Sequence, residues 1–168
     1  MKVYFRLCKG TGLIYDRLIR WYTRGNFTHA EFAWPLTSGH PGGWLGAQPR
    51  GGVKVRDAAY LNCEYEVRFI ELNKTEVEKL VRFLERQIGK PYDWKAIFKM
   101  GCRPLDSFVS HNRWFCSELV FYALAHIGKY ILWEPENIAT RLSPRDLGLA
   151  TIPRFAYRGY IHACNFGA

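Results

Sequence analysis

The sequence predicts an α+β fold, helices packed against an antiparallel sheet, on three observations. Short segments of alternating polarity recur through the first 72 residues. An amphipathic helix with start and stop signals follows them. Further on, Phe115 to Ile127 (FCSELVFYALAHI) is apolar nearly all round, as a central, buried helix requires.

The elements follow in order. Val3 to Leu7 alternates as VYFRL and predicts a strand, turned by Gly10-Thr11-Gly12. Leu13, Ile14, Arg17, Leu18, Trp21 and Tyr22 recur at helical spacing, so a helix is expected from about Gly12 to Thr23, ended by Gly25-Asn26. Phe27 to Trp34 (FTHAEFAW) sets Phe27, His29, Glu31 and Ala33 on one strand face and Thr28, Ala30, Phe32 and Trp34 on the other. After a Pro- and Gly-rich loop, Trp44 to Gln48 and Gly52 to Arg56 predict a strand pair about the Pro49-Arg50-Gly51 turn. Tyr65 to Leu72 (YEVRFIEL) gives the cleanest alternation.

Thr75 and Glu78 read as the capping box of the next helix, with Val77, Leu80, Val81, Leu84 and Ile88 as its stripe and Gly89 at its C-cap. Pro91-Tyr92-Asp93 bends the chain, and Trp94 to Met100 starts another helix. Gly128 closes the central helix. Ser143-Pro144-Arg145-Asp146-Leu147 reads as a capped turn with Pro at the first helical position, and Phe155 to Cys164 as a last strand. Neither a repeat nor a linker stands out, so residues 1–168 are expected to form one domain.

Composition narrows the function. Of 168 residues 48% are apolar and 16% aromatic, which excludes disorder, low-complexity spacers and coiled coil for the whole chain. Lys and Arg number 24 against 15 acidic residues, a formal charge of +9 that favours an anionic partner or surface. Nucleic acid has only this charge in its favour, since no recognised nucleic-acid motif is present. The longest apolar run, Leu119 to Ala125, has seven residues, too few for a membrane span. Arg6 and Lys9 interrupt the N-terminus where a signal peptide needs an apolar core, so synthesis in the cytoplasm without a secretion signal is expected. Export by another route, or association with a virion, stays open. The five cysteines (Cys8, Cys63, Cys102, Cys116 and Cys164) are odd in number and lack any CxxC pair. A disulfide framework or zinc site is therefore not expected, and neither a metal nor a cofactor is.

Cys116 opens the buried helix, near unsatisfied backbone N–H groups and the positive dipole end, where thiolate is favoured. On position alone, a small buried apolar residue is the other reading. A nucleophilic thiol needs an imidazole. His126 lies ten positions along the same helix, about 15 Å away, and is excluded. His40 and His111 fall in loops and His162 in the expected last strand, whereas the strand that carries His29 holds it between aromatics able to exclude water. Arg17, Arg20 and Arg24 share a helix side, either as an anion contact or as a solvated basic face. Trp21, Trp34, Trp44 and Trp114 floor a groove or belong to the core.

The segment Ile88-Gly89-Lys90-Pro91-Tyr92-Asp93, then Phe115-Cys116-Ser117-Glu118-Leu119-Val120 closed by Gly128, resembles the G-x-P-Y-D … C-S-x-L-V … G signature of NlpC-type cysteine peptidases. Thr28-His29-Ala30-Glu31-Phe32 precedes the cysteine here, which resembles the circularly permuted, YiiX-like branch; relatives include lecithin–retinol acyltransferase-like enzymes. Gly46-Ala47-Gln48 … Gly51-Gly52-Val53 and the Ser143–Leu147 turn are similar to further family motifs, and the likeness covers roughly residues 10–150.

The resemblance implies a permuted papain-like fold with Cys116 as nucleophile and His29 as general base, acting on an amide of peptidoglycan stem peptides. An acyltransferase or thioesterase acting on lipid or other acyl substrates is the alternative, and a non-catalytic basic binding module the second. Family members often carry a carboxylate or His on the strand after the histidine, where this chain reads Leu45-Gly46-Ala47-Gln48. Gln48 can accept an imidazole N–H through its amide oxygen and is the first choice for the orienting residue. Glu31 is the second and His40 the third.

Overall fold

The computed structural model describes residues 1–10, 14–37, 42–61, 63–99, 112–131, 142–150 and 154–155. Strands β1 (Lys2–Cys8), β2 (His29–Trp34), β3 (Gly43–Gln48), β4 (Gly52–Asp57), β5 (Tyr65–Glu71) and β6 (Arg154–Phe155) form one sheet in the order β4-β3-β2-β1-β5-β6. Every pairing is antiparallel. The helices are α1 (Ile14–Thr23), α2 (Lys74–Glu85), α3 (Trp94–Lys99), α4 (Cys116–His126) and α5 (Pro144–Leu149).

Alternation along the strands sorts the side chains. Val3, Phe5 and Leu7 of β1, Ala30 and Phe32 of β2, and Leu45 and Ala47 of β3 enter the main core with Leu80 and Leu84 of α2 and Leu119, Val120 and Leu124 of α4. The opposite face carries a smaller cluster of Cys8, Ala33, Trp44, Cys63, Tyr65 and Val67. Register places Phe5 opposite Phe32 and Arg6 opposite Glu31. A one-residue slip would exchange the two faces, so the apolar face fixes the position of the polar pair.

Strand β2 begins at His29 rather than Phe27, and both ends of α2 differ from expectation. Helix α2 starts one residue before Thr75, because Asn73 is its N-cap: the Asn73 side chain accepts from the Glu76 N–H at 2.9 Å, and the Glu76 carboxylate takes the Asn73 N–H at 2.8 Å. Asn caps as well as Thr, and the Asn73–Glu76 pair satisfies two otherwise orphan donors. At the other end regular helix stops at Glu85 and the chain tightens, with Gln87 N–H on Leu84 O and Ile88 N–H on Glu85 O. The 3.6-residue phase is lost there, and Ile88 is exposed rather than part of the stripe.

Gly89, at φ 87°, sends its N–H to Val53 O at 2.8 Å, and Val53 returns a bond to Lys90 O at 2.9 Å. The Gly89-Lys90-Pro91 bend is thereby tied to β4. Gly52 makes this approach feasible, since a Cβ there would lie 2.2 Å from Lys90 O. The Ser143 cap is found as expected, with Pro144 first in α5. The buried Arg68 guanidinium donates to the carbonyls of Leu147, Gly148 and Ala150, holding the far end of α5 on the sheet. Phe155 pairs with Val67, while positions 156–164 of the expected last strand lie outside the described residues.

Candidate active site

Cys116 is the first residue of α4, and the chain before it is set by the Pro91-Tyr92-Asp93 bend. Trp114 N–H donates to Pro91 O at 3.1 Å and Asp93 N–H to Trp114 O at 3.0 Å, a short parallel bridge. The Glu118 carboxylate accepts the Phe115 N–H at 3.2 Å, and the Ser117 hydroxyl donates to Leu142 O. The thiol therefore sits at a fixed helix start, beside N–H groups without an intrahelical partner.

His29 opens β2 and is 6% exposed. Its imidazole interacts with the neighbouring Cys116 side chain, and its Nε2 lies 2.9 Å from Glu31 Oε1. Glu31 is two residues along the same strand face and fully buried. Its Oε2 accepts from Arg6 Nε at 3.0 Å and Nη2 at 2.8 Å, while Tyr60 donates its hydroxyl to Oε1. Gln48 donates to the Tyr60 oxygen, and its Nε2 stands 3.4 Å from His29 Nε2. An acceptor oxygen from Gln48 was expected on the imidazole. Here Gln48 turns its amide nitrogen that way, and the carboxylate of Glu31 is the nearer acceptor.

Electrostatics follow from this chain of contacts. Burial opposes charge on His29, but Glu31 and then Cys116 outweigh it and push its pKa up to about 10. Burial also opposes charge on Glu31, yet His29, Arg6 and Tyr60 hold it down to about 2. Burial, then the adjacent carboxylate, push the Tyr60 hydroxyl well up, so it remains a donor. Cation and anion thus alternate from Arg6 through Glu31 to His29, all three buried.

Two packing features make room for that chain. Gly46 faces Glu31 across the sheet, and a Cβ there would lie 2.6 Å from Glu31 Cγ. Arg6 lies over the Trp44 ring at 4.2 Å, with Tyr65 at 5.4 Å and Tyr60 at 5.5 Å, so its charge is held by ring faces as well as by Glu31.

The structure brings Cys116, His29, Glu31 and Gln48 together; His40 lies outside the described residues. Arg6 and Tyr60 were not picked out from the sequence. For Arg6 a signal existed, a cation between Phe5 and Leu7 on an alternating strand, whereas Tyr60 sits in a segment without a pattern. A small cleft lined by Tyr15, Ile19, His29, Gln48, Leu61 and Tyr92, among others, opens beside the pair. Cys116 itself is 1% exposed. Burial, then the nearby Cys116 sulfur, push the Tyr92 hydroxyl up, which places Tyr92 between core and cleft at the thiol.

The chain thus has an α+β, YiiX-like fold, and its site sets a cysteine beside a histidine that a carboxylate holds. A crystal structure described as metalloprotein YiiX from Escherichia coli O157:H7 has this fold: 19% of residues are identical, 93% of this chain and 96% of that one are covered, and the TM-score is 0.66. No protein-family model and no curated protein matches the sequence. Among the described residues no helix is long and apolar enough to cross a membrane.

Proposed function

We propose that the protein is a cysteine hydrolase of the permuted papain-like type, attacking an acyl carbonyl with Cys116. The observation that carries this reading is the juxtaposition of Cys116, at a helix start, with His29, whose Nε2 lies 2.9 Å from Glu31 Oε1. The Cys116 sulfur, its proton already taken up by His29, bonds to the carbonyl carbon, and the oxyanion faces the N–H groups that open α4. His29 then returns the proton to the leaving nitrogen, giving a thioester. Water, deprotonated by His29, attacks that thioester and releases the acid and the thiol. Glu31 fixes the ring through Nε2 and balances its charge; Tyr60 and Arg6 fix Glu31. With the thiol 1% exposed, a substrate carbonyl reaches it past the His29 and Tyr92 side chains at the cleft.

The substrate class favoured by the G-x-P-Y-D and C-S-x-L-V resemblance is an amide of peptidoglycan stem peptides. A lipid acyl substrate, with transfer or thioester hydrolysis, is the second reading. It is favoured by Leu18, Trp21 and Trp94, which are exposed on and beside the helix that lines the cleft. The similar YiiX protein is described as a metalloprotein. Here, among the described residues, no group of three or more His, Cys, Asp or Glu side chains is arranged to hold a metal ion. Both Glu31 oxygens are already taken by Arg6, Tyr60 and His29, so no step is routed through a metal.

The test is intact-mass and peptide spectrometry after incubation with muropeptides and, separately, with an acyl thioester. An acyl adduct on Cys116, absent from Cys116→Ala and slowed about 10²- to 10⁴-fold in His29→Ala, is expected. Muropeptide cleavage supports the amidase reading, and reaction with the thioester alone the lipid reading. Turnover that survives Cys116→Ala would sink both.

A further inference from the structure

We propose that the outer face of α1 is a docking surface for an anionic lipid bilayer. The helix buries Asp16, Ile19 and Thr23, and its remaining arc faces solvent. At about 100° per residue that arc divides lengthwise into two strips. Arg20 and Arg17 form one, continued beyond the helix end by Arg24; all three are exposed. Trp21, 71% exposed, and Leu18, 42% exposed, form the other, flanked by the half-buried Tyr22 and Tyr15.

The apolar strip continues off the helix. Trp94, 45% exposed, stands edge-on to Tyr15 with ring centroids 6.2 Å apart. Arg145 extends the basic strip: its side chain packs on Gly25, and its Nη1 donates to Thr23 O at 2.7 Å. A solvated basic face accounts for the arginines but not for a large indole and a leucine in water beside them.

Charge complementarity selects the partner. Arginines at an anionic surface gain roughly equal increments each, while indole and leucine side chains are favoured at the headgroup and acyl boundary. A polyanionic polymer satisfies the first strip and offers the leucine nothing. The same helix lines the cleft with Tyr15, Asp16 and Ile19, so docking sets the cleft beside the membrane. Leu18, Trp21, Arg17 and Arg20 take no part in the Cys116 network, so binding can be read without turnover.

The experiment is co-sedimentation of the whole chain with vesicles of phosphatidylcholine alone, or mixed in equal parts with phosphatidylglycerol, with heparin and duplex DNA as polyanion controls. Wild type and Cys116→Ala are expected to bind the mixed vesicles equally and phosphatidylcholine weakly. Arg17→Gln/Arg20→Gln should weaken binding about 25-fold, from about fivefold per arginine. Leu18→Ser/Trp21→Ser should weaken it at least about tenfold while leaving heparin binding unchanged. The proposal is overturned if that last variant binds mixed vesicles as wild type does. It is equally overturned if heparin or DNA is bound and vesicles are not. Both variants change exposed side chains, and matching thermal midpoints establish that they fold.

Discussion

Glu31 accepts four donors on two oxygens: Arg6 twice, Tyr60 and His29. Removing its charge leaves the Arg6 guanidinium buried without a counter-ion. Glu31→Gln should therefore cost about 3–5 kcal/mol in a urea titration at pH 7. Tyr60→Phe removes one hydrogen bond to a charged group, for about 1.5–3 kcal/mol in the same titration, and should lower kcat more than Gln48→Ala does. That order follows because Tyr60 touches the carboxylate and Gln48 only the Tyr60 oxygen and the ring edge. His29 and Glu31 were legible as face-mates from strand alternation alone. That both are buried was not, because the cation opposite, Arg6, lies 25 residues away in sequence and becomes a neighbour only through the β1–β2 register.

At the scale of elements, the sheet is set by how closely backbone approaches side chain. Gly46 lies where a methyl group would meet Glu31 Cγ at 2.6 Å. Gly46→Ala should cost about 1–3 kcal/mol through overpacking and lower kcat, since the carboxylate it displaces holds the imidazole. The thermal midpoint and a steady-state assay on one preparation check both parts. Asn73→Ala, which removes the N-cap of α2 far from the site, should cost about 1 kcal/mol and leave kcat unchanged. The strands were readable from their alternation, and α4 from an apolar run that is nearly unbroken. The start of α2 was misplaced because Asn73–Glu76 and Thr75–Glu78 both suit a cap, and only the hydrogen bonds chose between them.

For the molecule as a whole, the coupled His29 and Glu31 shifts link stability to pH. The His29 pKa is raised, to about 10, so its contribution is complete below its ordinary value of about 6.5 and is lost as pH rises toward 10. The Glu31 pKa is lowered, to about 2, so its contribution is complete above its ordinary value of about 4.3 and is lost as pH falls toward 2. Unfolding free energy should peak between about pH 4.5 and 6.5 and fall on both sides. In Glu31→Gln the alkaline limb should flatten, because His29 loses the first of the partners that raise its pKa. The YiiX-like architecture was legible from motif order, His29 strand before Cys116 helix. The way Gly89 and Lys90 clasp β4 was not, since those bonds join segments with no pattern in common.

One measurement decides whether Cys116 and His29 act as a pair: the rate of iodoacetamide labelling at each cysteine at pH 7, read by peptide mass spectrometry, in wild type and His29→Gln. Cys8 and Cys63, buried thiols in the same molecule, are the internal reference. Labelling of Cys116 at least about tenfold faster than either, falling to their level in His29→Gln, is the outcome expected of a thiol activated by its imidazole. Labelling of Cys116 no faster than Cys8 and Cys63, and unchanged by the substitution, would make it a core thiol and contradict the hydrolase reading.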